Sequence, residues 1–396
     1  GGNAVDAVIA VQFALAVVYP RAGNIGGGGF MVIRQADGST NALDYREKAP
    51  AAASRDMYLD SAKNVIQGLS TIGHLASGVP GTVAGMWEAH QKYGKLEWSE
   101  LVRPAYELAK NGFKLSVTET NRLNRFKSYF KEYNTTENIF TQQDTFLKGS
   151  NLVQSELAAT LKLIEAGGKD GFYQGKTADL LVAEMERGNG IITLEDLANY
   201  EAQWRTPITA DYKNYRLISM PPSSSGGIAV AQMLKMIENY PLNKYGFHTP
   251  ESVHLMAEVE RRAFADRSKH LGDSDFYDVP MEELLSDEYL KGRMADYDDY
   301  YPTSSDSIAG GEFEMVLESF ETTHTSIVDA EGNAVSVTTT LNSNYGSKVV
   351  VGGAGFFMNN EMDDFSSKPG VPNQFGLIGA EANAIQPGKR MLSSMT

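Results

Sequence analysis

Between residues 5 and 18 the chain carries an apolar run, interrupted only by Asp6 and Gln12 and closed by Tyr19-Pro20. A helix that is apolar on all sides has to be covered on all sides. The run falls short of the roughly 18 to 20 residues that a bilayer span needs, so the cover must be protein. The sequence directly after it supplies some. Gly23 and the run Gly26, Gly27, Gly28 and Gly29 form a loop that lets backbones approach closely. Strand-like residues 30–35, a turn at Asp37-Gly38 and a return over 40–45 then read as a hairpin. A buried helix feeding a hairpin calls for a layered fold, and the 396 residues are enough for one large α/β unit or two to three domains.

Further along, helical patterns are expected near 80–93, 98–112, 151–166 and 176–188. A second hairpin-like run, 208–220, leads through Pro221-Pro222-Ser223-Ser224-Ser225-Gly226-Gly227 into a helix ending near residue 240. Thr249 is a candidate N-cap with Pro250 at the first helical position. In that helix Val253, Met256, Ala257 and Phe264 share roughly a 100° arc and are expected to pack inward. Residues 296–318 turn to loop chemistry, and strand patterns follow over 323–328 and 334–341, around a turn at 329–333. No repeat is visible.

Composition removes several functions. Apolar residues make up 42% and charged residues 21%, which fits neither a disordered nor a membrane chain. Fifty acidic against 35 basic residues give a net charge of −15, which repels nucleic-acid phosphates and anionic lipid. With no cysteine there is no disulfide, cysteine metal site or thiol nucleophile. The chain opens without an initiator Met and stops at Met395-Thr396 in mid-motif, so both ends are expected to be cut.

Familiar catalytic motifs are missing. There is no Gly-x-Ser-x-Gly elbow, zinc helix or phosphate loop, and Ser128-x-x-Lys131 stands without its companion motifs. The glycine run precedes a strand and lacks a lysine, which disfavours phosphate. His74, His90, His248, His254, His270 and His324 show no tight metal spacing and read as structural or exposed. No residue set implies a metal or organic cofactor. There remains Thr322-Thr323-His324, a strand opening directly after a flexible segment. On spacing alone these threonines read first as β-formers that open the strand; the other reading is a nucleophile, which needs a base beside it. The nearest base is the threonine's own α-amine, and that exists only if the chain is cut before it.

Taken together, Thr322-Thr323-His324-Thr325-Ser326, Gly332-Asn333-Ala334-Val335, Thr340-Leu341-Asn342, Asn359-Asn360-Glu361-Met362-Asp363-Asp364-Phe365 and Ser393-Ser394-Met395 resemble the γ-glutamyltransferase (γ-glutamyltranspeptidase) family. Upstream, Ala22 to Phe30, Tyr45-Arg46-Glu47-Lys48-Ala49-Pro50 and the Pro221-Pro222 segment match in the same order. The resemblance implies an α+β fold, the four-layer αββα sandwich of N-terminal-nucleophile hydrolases, here truncated at both ends. It implies a precursor that cuts itself between Glu321 and Thr322 into a large subunit, 1–321, whose end from about 296 is a flexible linker, and a small subunit, 322–396, incomplete at its C-terminus. The mature Thr322 would attack γ-glutamyl amides such as glutathione and pass the acyl group to water, an amino acid or a peptide.

The resemblance also assigns roles. Thr340 would orient Thr322. Arg46, with Ser393 and Ser394, would read the donor carboxylate, and Asn342, Glu361 and Asp364 its ammonium. Asp363 is expected to be structural. A glycine pair forming the oxyanion hole would lie beyond residue 396. The segment 369–377 resembles a lid loop in which Phe375 replaces a common tyrosine. Export to a bacterial periplasm or medium is implied by the resemblance alone. Within the same superfamily the alternatives are a glutaryl or cephalosporin acylase or a poly-γ-glutamate-processing enzyme; outside catalysis, a homologue that has lost activity. No partner beyond the donor, the acceptor and the two subunits is implied.

Overall fold

The computed structural model describes residues 1–304, 307–308 and 322–395. Glu321 and most of the expected linker lie outside the described residues. The main elements are α1 (Ala4–Val18), β1 (Gly28–Arg34), β2 (Thr40–Asp44), α2 (Thr82–Tyr93), α3 (Trp98–Asn111), α4 (Val117–Tyr133), α5 (Ser155–Gly167), α6 (Gly175–Arg187), β3 (Gln203–Arg205), β4 (Ile208–Tyr212), β5 (Tyr215–Ser219), α7 (Gly226–Ile237), α8 (Pro250–His270), β6 (Thr323–Val328) and β7 (Ala334–Thr340).

The apolar run forms α1, and Asp6, which interrupts it, closes a capping box: Asn3 Oδ1 accepts from Asp6 N, and Asp6 Oδ2 accepts from Asn3 N, both at 2.9 Å. One face of the central sheet covers this helix. The sheet is antiparallel, in the order β3-β2-β1-β7-β6. Strand alternation splits its residues between two layers. Met31, Ile33, Leu43, Val335 and Val337 join Val8, Ile9 and Phe13 of α1 and residues of α2, α3, α5 and α6 in the largest core. Phe30 and Ala42 point the other way and meet Met220, at the end of the β4–β5 hairpin. Outside that hairpin lie α7 and α8, where Ile208 packs with Ile228, and Ala229 and Met236 with Leu255, Val259 and Ala263. Helices, sheet, hairpin and helices make the four layers of an α+β sandwich.

The glycine run packs backbone on backbone. A Cβ on Gly27 would stand 2.2 Å from Thr340 O, and one on Gly29 2.2 Å from Thr338 O. Asn24 ties this loop to the end of β7, its Oδ1 accepting from Gly27 N (2.9 Å) and its Nδ2 donating to Thr340 O (2.9 Å).

Two expectations are corrected. In α8, Val253 and Met256 are about half exposed, and the buried face is instead Leu255, Val259 and Ala263 together with Glu258, Arg262 and Asp266. Arg262 Nη1 stands 2.5 Å from Glu258 Oε2 one turn away, so the charges are neutralised within the face they occupy, and hydrophobicity alone selects the wrong side. The 17-residue α4 has no counterpart among the expected helices. Its buried positions are only Glu119, Thr120, Leu123 and Phe130, too narrow a stripe to stand out in a polar segment.

Candidate active site

The sheet face opposite α1 becomes polar at its β7–β6 end. In β7, Ser336, Thr338 and Thr340 alternate with the inward valines. In β6, His324 and Ser326 share that outer face, with Thr323 paired to Thr339. Continuing the register by one residue sets Thr322 across from Thr340. Thr322 is exposed, at the head of an edge strand. His324 bridges the two strands: Nδ1 is 2.7 Å from Thr338 Oγ1, and Nε2 lies 3.0 Å from Ser326 Oγ and 3.1 Å from Ser336 Oγ. Thr340 Oγ1 accepts from Asn342 N at 2.8 Å, which fixes the hydroxyl at the end of β7.

Arg46 follows β2 into the interior and is fully buried. Its backbone is pinned by Asp44 Oδ1, which accepts from Arg46 N (3.0 Å), and by Tyr200 Oη, which donates to Arg46 O (2.8 Å). Three carboxylates surround its guanidinium: Glu361 Oε2 at 2.6 Å, Asp364 Oδ2 at 2.5 Å and Glu47 Oε2 at 3.6 Å. Burial alone would lower the arginine's pKa, but Glu361, Asp364 and Glu47 outweigh it and hold the cation fully protonated. Burial also pushes the carboxyls upward against the pull of Arg46, Glu361 well above its usual value and Glu47 to about 7. One cation facing three carboxyl groups leaves the oxygens of Glu47 and Glu361 without a hydrogen-bond partner among the described residues.

Ser393 is held from the second layer, where its carbonyl accepts from Ser225 N and Ser225 Oγ, each at 2.7 Å, and its amide donates to Ser223 O at 3.0 Å. The Pro221-to-Gly227 segment is thus a cradle for the Ser393-Ser394 segment. Asn342, at φ +77°, turns its side-chain amide onto Asn360 O (3.0 Å).

These pieces line one cavity of about 290 Å³: Thr322, Thr340, Arg46, Asn342, Glu361, Asp364, Ser393 and Ser394, joined by His324, Thr338, Phe375, Leu377 and Met395. Every described side chain expected at the site is there, and the partner expected at the cut, Glu321, lies outside the described residues. His324, expected to be structural or exposed, and Thr338, to which the sequence assigns no role, also line the cavity. The signal for both is the two-residue strand period, which puts them on the face of Thr322 and Thr340. The expected lid residue Phe375 lies on the cavity wall.

A four-layer αββα sandwich with a threonine at the head of a central-sheet strand, opening on a polar cavity, has the architecture of the N-terminal-nucleophile hydrolases. A family model described as gamma-glutamyltranspeptidase matches residues 1–396, and the chain belongs to that family. It is 50% identical over 398 residues to a glutathione hydrolase proenzyme of Pseudomonas aeruginosa, covering all of this chain and 70% of that protein. The crystal structure of Helicobacter pylori γ-glutamyltranspeptidase superposes with a TM-score of 0.77 at 44% identity, over 78% of this chain and 90% of that one. A cephalosporin acylase from Bacillus halodurans superposes with a TM-score of 0.83 at 28% identity, over 100% of this chain and 70% of that one. No helix among the described residues is long and apolar enough to cross a membrane.

Proposed function

We propose that the protein is a self-processing γ-glutamyl hydrolase and transferase that acts on γ-glutamyl amides such as glutathione. The observation that carries this reading is the buried Arg46, ringed by Glu361, Asp364 and Glu47, in the lining of the cavity that also holds Thr322. A γ-glutamyl group presents a carboxylate and an ammonium on one carbon. Arg46 and the Ser393 and Ser394 hydroxyls suit the first, and the surplus acids, Asp364 and Glu361, suit the second.

In the precursor, 1–321 and 322–396 are one chain. Thr322 Oγ attacks the Glu321 carbonyl carbon, the peptide C–N bond breaks as the ester forms and its nitrogen takes up the hydroxyl proton to become the free Thr322 α-amine, and water then hydrolyses the ester to a Glu321 carboxylate and the Thr322 hydroxyl. That amine is the base the hydroxyl needs. In turnover it takes the Oγ proton as Oγ attacks the donor γ-carbonyl, and returns it to the departing nitrogen as the C–N bond breaks. The γ-glutamyl ester then passes to water, giving glutamate, or to an acceptor amine. Thr340, across the strand pair, orients the nucleophile.

The likeness to a cephalosporin acylase supports a second reading, hydrolysis of glutaryl amides. A glutaryl group has no ammonium and leaves Asp364 and Glu361 unused, which favours the γ-glutamyl reading. Turnover of γ-glutamyl and glutaryl anilides tests the choice. The γ-glutamyl compound is expected to be preferred, and equal or faster glutaryl turnover would reverse the assignment.

A further inference from the structure

The loop over the cavity is a compact flap. Its neck is closed by Gly370 N donating to Gly379 O (3.1 Å), and Asn373 organises its interior, with Oδ1 accepting from Phe375 N and Leu377 N, each at 3.0 Å. Gly370 (φ +81°) and Gly376 (φ +72°) occupy the left-handed region, where glycine is strain-free. Phe375 and Leu377 face the active-site cavity. Behind the flap lies a second cavity of about 240 Å³, whose lining includes Ser70, Asp363, Phe365, Val371 and Gln374. The flap thus lines both spaces, Val371 to Gln374 on one and Phe375 and Leu377 on the other.

Two hydrogen bonds tie it to adjacent aspartates. Asn373 Nδ2 donates to Asp364 Oδ1 at 3.3 Å, and Gln374 N donates to Asp363 Oδ2 at 3.0 Å. Asp364 is the donor-site carboxylate, so a bound ammonium competes with Asn373 for it. Asp363 is 3% exposed, and its other oxygen accepts from Ser70 Oγ at 2.6 Å. Occupying the site therefore weakens one tie and leaves the other.

We infer that Asp363 is a positioning residue that latches the 370–379 flap over the acyl-enzyme, and so sets how the acyl group divides between water and acceptor amines. The inference rests on the γ-glutamyl reading of the cavity. With the latch closed, the apolar Phe375 and Leu377 shield the ester from bulk water. With it open, water enters freely.

Hydrogen exchange read by mass spectrometry on the processed enzyme tests the latch without any substrate. In Asp363→Ala the amides of residues 371–378 should exchange about tenfold or more faster than in the parent, the scale of one lost hydrogen bond to a carboxylate. Asp363→Asn, which keeps one acceptor oxygen, should fall between, and it decides the matter alone if the alanine variant fails to fold. The ratio of glutamate to transfer product, at fixed acceptor, should rise in the same order, a readout that a general loss of structure would not move. Unchanged flap exchange, or faster exchange with an unchanged product ratio, overturns the proposal. A parent enzyme without γ-glutamyl turnover overturns instead the reading on which it rests, and the exchange result still reports on the latch.

Discussion

Replacing Arg46 by lysine keeps the charge and removes the fork. In the native site Nη1 meets Glu361 at 2.6 Å, Nη2 meets Asp364 at 2.5 Å, and Nε donates to Met391 O at 3.3 Å. A lysine ammonium is a single point and cannot hold Glu361 and Asp364 in this bridge. Breaking a buried ion pair outright costs about 3 to 5 kcal/mol; with the charge retained the loss should be about half that, and folded protein should still accumulate. Donor recognition suffers separately. A γ-glutamyl carboxylate that receives one charged N–H in place of two loses about 1.5 to 3 kcal/mol. That is a fall in kcat/KM of about 10- to 150-fold, carried by KM because the contact is already present in the ground state. Steady-state release of aniline from a γ-glutamyl anilide measures it. A kcat/KM within about threefold of the parent, or a loss confined to kcat at constant KM, would refute the assignment of Arg46 to the donor carboxylate.

Two further perturbations probe the parts around the site. Thr340→Ala removes the acceptor of the Asn342 amide and the hydroxyl opposite Thr322, and should lower kcat by about one to two orders of magnitude and slow self-cleavage, with Thr340→Ser recovering most of both; equal loss in the serine variant would contradict a hydroxyl role. Glu184 is buried, which alone would raise its pKa, but bonds from His74, Arg187, Thr135 and Gly352 N pull it down to about 2 from 4.5. Because its folded pKa lies below the unfolded one, its contribution is present above the unfolded value and is lost as pH falls toward 2; Glu184→Gln should cost about 3 kcal/mol at pH 7 and roughly half of that at pH 3, by urea denaturation. A difference independent of pH would contradict the linkage.

The sequence made some of this architecture legible and hid the rest for physical reasons. The helix 4–18, its following hairpin and the β6–β7 hairpin follow local rules of periodicity and turn chemistry, and they appear where those rules put them. The buried face of α8 does not, because Glu258 and Arg262 are paired in three dimensions and a hydrophobicity scale counts each alone. The site is assembled over long separations: Arg46 and Asp364 are 318 residues apart, and only recognition of motifs in order brings them together. Glu47 lies inside one of those motifs, yet its burial, without a hydrogen-bond partner among the described residues, is not legible in it. By sequence Asp363 is expected to be structural beside a functional neighbour. The two aspartates are adjacent in the chain and both accept from the flap, but Asp364 pairs with Arg46 whereas Asp363 accepts from Ser70.

The central claim is that a cut before Thr322 creates both nucleophile and base. Intact-mass measurement of the full-length precursor after purification tests it most directly. The account predicts two chains in equal amount, the smaller beginning at Thr322, and a single uncut, inactive chain for Thr322→Ala. A precursor that turns over γ-glutamyl amides while remaining one chain, or a Thr322→Ala variant that still divides at this position, would contradict it.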